Sequence, residues 1–262
     1  MKKLVLFCMA LFLCACAKQP PHPGAPEGKD APLIAHRWQA YADAGSGTVT
    51  PYRLQMSLRF GEEGNTRRVT ALLWGNGARE LRLDVMAGVG TVVAKILEDG
   101  EHFLVYAPME NKAYFHQGAA SPLLRVGVPV PFGLSRLTAL LTGHYSAAFG
   151  DRHAGAEMLS DGMVRYALEG TPGGRLDLNA AGLPVAWNET GADGWRMEIA
   201  YDDGTPPLPR RLTLTHGSGK RAILLVKERE RPGTPFTSEQ MRLTLPEGAP
   251  LLPLSRYRAP NS

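Results

Sequence analysis

After residue 16 the chain contains no cysteine: its three, Cys8, Cys14 and Cys16, all fall at the start. The remainder has no disulfide, no thiolate metal site and no cysteine nucleophile, so burial alone must stabilise it. An apolar run of the roughly 20 residues that a membrane-spanning helix takes is also missing. The seven histidines, 22, 36, 102, 116, 144, 153 and 216, show no HExxH or paired metal spacing, and no G-x-S-x-G nucleophile elbow occurs. Gly217-Ser218-Gly219-Lys220 lacks the first glycine of a phosphate loop and sits where a hairpin turn is expected. The formal net charge is only +4 and the basic residues are dispersed, which excludes a strong case for nucleic acid. No catalytic residue, metal or cofactor is predicted, and the chain reads as a non-enzyme.

What is present begins at the N-terminus. Met1-Lys2-Lys3 precedes a short apolar stretch that closes on Leu13-Cys14-Ala15-Cys16. Two lysines, an apolar core and a small residue before the last cysteine predict a secretory signal peptide over residues 1–15. Cys16 looks like the lipidated cysteine of a bacterial lipoprotein, carrying a diacylglyceryl group and palmitate. Residues 16–31 then read as a tether, with Pro20, Pro21, Pro23, Pro26, Gly24 and Gly28 and almost nothing apolar.

Ile34, Trp38 and Tyr41 mark one face of a helix from Pro32 to Ala44. The period then changes to two. Tyr52, Leu54, Met56, Leu58 and Phe60 alternate with Arg53, Gln55, Ser57 and Arg59, a strand about 30 Å long with one apolar face. Further strands are predicted over 67–74, 80–86, 91–98, 103–107 and 112–116, with turn residues between them. Residues 121–149 break the pattern, with Leu134, Leu137, Leu140 and Leu141 on one helical face that stops at Gly143. Strands resume over 163–168, 175–178, 183–189, 195–201, 211–215, 221–230 and 240–245. Glu228, Arg229, Glu230 and Arg231 read as a solvated strand end.

Short strands at this spacing make an antiparallel sheet joined by hairpins. One apolar face over so many strands must close, stack or be capped, and two helices cannot cover it flat. The predicted fold is mainly β with helices. It is a single strongly curved antiparallel sheet, a half-open β-barrel, capped by a helical lid over an apolar cavity. It occupies residues 32–255, with a tail over 256–262.

The acylated cysteine, the tryptophan-bearing helix and the run Leu81-Arg82-Leu83-Asp84-Val85-Met86-Ala87-Gly88-Val89-Gly90 resemble the LolA/LolB group of periplasmic lipoprotein carriers. So do Asp99-Gly100 before Phe103-Leu104-Val105-Tyr106, the leucine helix ending at Gly143, and the stretch from Phe236 to Ala249. The resemblance covers most of residues 33–254 and is one of residue types and spacings, without a diagnostic motif. It implies a cavity for lipoprotein acyl chains, lined here by Leu54, Met56, Leu58, Trp74, Leu83, Val85 and Phe103, with Trp38, Leu137 and Leu141 in the lid. It also implies a membrane-insertion loop at Val89, where the family carries a larger leucine. A multiply acylated chain does not leave a membrane on a useful timescale, so the anchored, LolB-like member is expected rather than the soluble ferry. Ala17 and Lys18 after the cysteine, with no aspartate, point to the outer membrane, facing the periplasm. Expected partners are lipoprotein acyl chains or membrane lipid, and a soluble periplasmic carrier protein. The alternatives are a scaffold lipoprotein of the same fold binding a protein partner, and a carrier of another lipid such as a glycolipid.

Overall fold

The computed structural model describes residues 29–117, 122–125, 130–191 and 193–257. The expected signal segment, Cys16 and most of the tether lie outside them. Helix α1 (Ala31–Asp43) leads into six strands: β1 (Tyr52–Glu62), β2 (Asn65–Gly75), β3 (Leu81–Ala87), β4 (Thr91–Glu98), β5 (His102–Ala107) and β6 (Lys112–Gln117). Helices α2 (Pro122–Arg125), α3 (Leu134–Leu141) and α4 (Tyr145–Phe149) interrupt. Seven strands follow: β7 (His153–Met158), β8 (Val164–Leu168), β9 (Arg175–Leu178), β10 (Pro184–Asn188), β11 (Trp195–Tyr201), β12 (Pro209–His216) and β13 (Arg221–Glu230). A short helix, α5 (Ser238–Met241), strand β14 (Leu251–Pro253) and a 3-10 turn (Leu254–Arg256) end the described chain.

All fourteen strands form one sheet, in the order β14-β6-β5-β4-β3-β2-β1-β13-β12-β11-β10-β9-β8-β7. Pairing is antiparallel except for β14, which joins β6 in parallel. The period-two pattern sets the faces, as the side-chain alternation of a strand requires. Tyr52, Leu54, Met56 and Leu58 of β1 are buried on the concave side, and Arg53 and Arg59 are exposed on the other. One apolar row runs across six strands: Leu54, Leu73, Leu83, Ile96, Val105 and Tyr114. A second joins the halves through Leu58, Leu224, Leu212 and Ile199. The two ends of the half-barrel differ. The β1–β2, β3–β4, β10–β11 and β12–β13 turns fall at one end, the hairpin end; the β2–β3, β4–β5 and β9–β10 turns fall at the other, towards which α1, α3 and α4 gather.

Helix α3 lies across that other end. Its Leu134, Leu137, Leu140 and Leu141 are at most 2% exposed and join the core. Charged side chains from two distant strands hold its ends. The Glu98 carboxylate of β4 accepts the Leu134 and Ser135 N–H groups at 3.2 Å each. Arg229 of β13 donates to the Leu141 carbonyl, and also to the Pro209 carbonyl at 2.8 Å. An acid at the N-terminus and a guanidinium at the C-terminus both oppose the helix dipole favourably. β4 and β13 stand four strand spacings apart, about 19 Å along a flat sheet. Eight helical residues span only about 12 Å, so the two pins meet α3 because the sheet is bent and both side chains reach inward. Burial pushes the Glu98 carboxyl up from its ordinary value, against the pull of the Ser135 and Leu134 N–H groups.

Helix α1 covers β7 and β8. Tyr166 donates to the Ile34 carbonyl at 2.7 Å, and Tyr41 donates to the Gly150 carbonyl at 2.6 Å. The β9–β10 turn abuts its backbone at Gly182, which has φ +77°; a Cβ there would lie 2.8 Å from Ala40 Cβ and 3.0 Å from the Arg37 carbonyl.

The sequence predicts a strand over 240–245, and the structure corrects this. Thr237 and Gln240 form a reciprocal capping box that starts the single helical turn α5. The alternation of Met241, Leu243 and Leu245 is real, but it seats an unpaired strap on the convex face, with Leu243 against Tyr106 and Ala113. β7 and β14 carry no apolar alternation and were not predicted; both are sheet edges, where burial writes little into the sequence.

Gly182→Ala is expected to lower unfolding free energy by about 1–3 kcal/mol, read from a urea melt, because both the φ and the space oppose a methyl group. The raised Glu98 pKa stabilises the fold fully below its ordinary value of 4.5, and that contribution is lost as pH rises through the folded value. Glu98→Gln is expected to flatten this part of the pH dependence and to match or exceed the native unfolding midpoint at neutral pH.

Candidate functional site

Six of the seven residues expected to line a cavity, Leu54, Met56, Leu58, Leu83, Val85 and Phe103, lie on the concave face. Each is at most 7% exposed, and they share one continuous apolar cluster with Phe132, Leu137, Leu141 and Phe149. The interior around them is packed by the protein's own side chains.

Trp74 is the exception and a correction. Leu73 beside it points inward, so the pleat turns Trp74 to the convex face. There the Arg82 guanidinium sits 5.2 Å from its ring centroid, and its Nε1 donates to the Gln240 carbonyl at 3.4 Å. Arg82, buried, also donates to the Arg242 carbonyl at 2.7 Å and to Asp84 at 3.1 Å. Trp74 thus anchors the strap, together with Asn76, whose amide pairs both ways with the Phe236 backbone.

The expected lid residues sit on two different helices. Leu137 and Leu141 of α3 close the end opposite the mouth. Trp38 of α1 packs over the other half of the sheet, with ring centroids 4.5 Å from His153, 4.7 Å from Tyr41 and 4.9 Å from Tyr166. Tyr41 links the two helical regions by donating to the carbonyl that follows α4.

At the hairpin end the concave face opens. A concavity of about 470 Å³ is lined by Phe60, Leu124, Trp195, His216, Lys220 and Arg221, with Gly61 and Glu62. Phe60, Trp195 and His216 continue the inward rows of β1, β11 and β12, and Leu124 reaches across from α2, whose Leu123 is buried in the core. The His216 ring packs on Trp195 at 5.0 Å between centroids. This mouth is the open continuation of the packed interior. A smaller concavity of about 230 Å³ lies at the opposite end, between Tyr52, Leu54, Thr142 and Arg229. Val89 tips the β3–β4 hairpin, fully exposed between Gly88 and Gly90, both at positive φ. Met109, in the turn after β5, is also largely exposed at this end.

Sequence reasoning missed the pins Glu98 and Arg229 and the mouth residues Trp195, His216, Lys220 and Arg221. Glu98 ends a strand and Arg229 sits in an alternating charge run, so neither carries a local mark of its distant partner. The inward parity of Trp195 and His216 on paired strands was the available clue. Among the described residues no three His, Cys, Asp or Glu side chains converge as metal ligands would, and no helix is long and apolar enough to cross a membrane.

No protein-family model and no curated protein sequence matches the chain. Solved structures do. A LolA superfamily protein from Nitrosomonas europaea aligns with TM-score 0.55 at 12% identity, over 79% of this chain and 98% of that one. A putative outer membrane lipoprotein-sorting protein domain from Vibrio parahaemolyticus aligns with TM-score 0.52 at 11% identity, over 79% and 94%. A DUF1329 family protein from Desulfovibrio piger aligns with TM-score 0.55 at 9% identity, over 80% and 95%. Identities this low speak to architecture alone. One bent, unclosed antiparallel sheet with few helices is the LolA-like fold of these structures, and this chain has it.

Proposed function

We propose that this protein binds acyl chains on its concave face, without covalent chemistry, while anchored by a lipidated Cys16 to the periplasmic side of the outer membrane. The observation that carries the reading is the mouth: an apolar-floored opening that continues the apolar core. An acyl chain entering there meets Phe60 and Trp195 first and then displaces the protein's own side chains, beginning with Leu123 of α2. The lining comprises Leu54, Met56, Leu58, Leu83, Val85 and Phe103, with Leu137 and Leu141 at the closed end. The cargo is a lipoprotein, received from a soluble periplasmic carrier and placed in the membrane. Val89, at the same end as the mouth, touches the bilayer during transfer; its small side chain adds less apolar surface than a leucine.

A second reading has its own support. The interior is packed, and Phe115 of β6 and Leu251 of β14 are exposed on neighbouring strands at one sheet edge. Both features suit a scaffold lipoprotein that uses its surface to bind a protein partner.

Native mass spectrometry of the purified protein with an acylated lipopeptide and a membrane lipid extract separates the readings. One lipopeptide per chain is expected, with binding lost in Leu124→Glu, which changes an already exposed mouth residue and leaves the unfolding midpoint unchanged. Phospholipid or glycolipid adducts alone make the protein a lipid carrier. No adduct leaves the scaffold reading.

A further inference from the structure

The mouth carries more than apolar surface. Lys220 and Arg221 lie on its rim, and among the described residues neither makes an ion pair or a side-chain hydrogen bond. His216 is oriented beside them. Its Nδ1 accepts the Ser218 backbone N–H at 3.1 Å, with the Ser218 hydroxyl 2.8 Å away. That contact places the proton of the neutral ring on Nε2, which is left as a donor. Ring packing on Trp195 fixes the plane in which Nε2 points. Glu62 lines the mouth as well, and the adjoining concavity that Lys220 and Arg221 also border adds Glu63 and Arg59, so the cations outnumber the acids by one. These donors stand at the edge of a floor made by Phe60, Leu124 and Trp195, and low-polarity surroundings strengthen a charge interaction above its value in water.

We propose that the mouth reads the head of its ligand. It takes an acyl amphiphile with an anionic head, a phosphate diester or a carboxylate, laying the chain on Phe60, Leu124 and Trp195 and the head against His216, Lys220 and Arg221. This rests on the acyl-binding reading and narrows it, because apolar burial alone gives no preference between heads. The guanidinium and ammonium supply charge-assisted hydrogen bonds, and His216 supplies a directed one from Nε2. Being partly exposed, the contacts weaken as salt rises.

The test is calorimetric titration of the purified full-length protein with lauroyl lysophosphatidylglycerol and lauroyl lysophosphatidylcholine, each below its micelle concentration. Laurate forms a third arm. The anionic lysolipid is expected to bind roughly tenfold tighter than the zwitterionic one at low salt, a preference that shrinks at physiological salt. The double variant Lys220→Gln/Arg221→Gln is expected to lose that preference while keeping its affinity for lysophosphatidylcholine and its unfolding midpoint. His216→Phe, which keeps a ring on Trp195 without the donor, should lose part of it. Weaker laurate binding in the double variant assigns carboxylate heads to the site as well; unchanged laurate binding restricts it to phosphate. Equal affinity for the two lysolipids overturns head recognition and leaves acyl binding standing. Binding of neither overturns both.

Discussion

An apolar face that runs across most of a fourteen-stranded sheet must be hidden from water, and each other feature of the molecule answers that demand. Bending the sheet lets its two halves face each other, which a flat sheet with so few helices could not do. The remaining gap at one end is stopped by α3. Its four buried leucines contribute roughly 1.5–3 kcal/mol each, and together they outweigh the charge-assisted hydrogen bonds at its two ends, at ~1.5–3 kcal/mol apiece before solvent screening. Packing therefore holds α3 in place, and Glu98 and Arg229 set where along the sheet it stops. The strap does the same service on the convex side, where Trp74, Leu97 and Leu104 would otherwise stand in water.

Most of this architecture is legible in the chain because burial on one face writes itself as alternation. Twelve of the fourteen strands and the α1 and α3 helices follow from the period of apolar residues and the turns between them. The failures share a cause. A period of two says that a segment is extended with one covered side; it does not say what covers it or whether a neighbour pairs with it. That is why Leu243 and Leu245 read as a strand and form a strap, and why Trp74 reads as interior when its face belongs to the outside. The edge strands β7 and β14 leave little trace because they bury little. Likewise, nothing in a string of residues shows that an interior is packed rather than hollow, since both need the same apolar side chains.

The packed interior bears on how an acyl chain could be held. Moving a chain from bilayer to protein exchanges one apolar surrounding for another, so the roughly 0.8 kcal/mol per methylene that drives it out of water cancels in the transfer. Direction then depends on what differs between the two sites: the cost of displacing resident side chains, and the contacts made by the head. A ligand shifts the protein between filled and opened states only by the difference in its affinity for them.

The parallel joining of β14 to β6 has a consequence for assembly. Open sheets invite growth, because each edge is a row of unsatisfied amides ready for another copy. Here one edge is finished by a three-residue strand that ends in Pro253 and is preceded by Pro250, neither of which has an N–H to offer. Among the described residues β7, the other edge, carries no proline. Growth of a sheet into a filament needs an open border on both sides. The prolines around β14 blunt one of the two here.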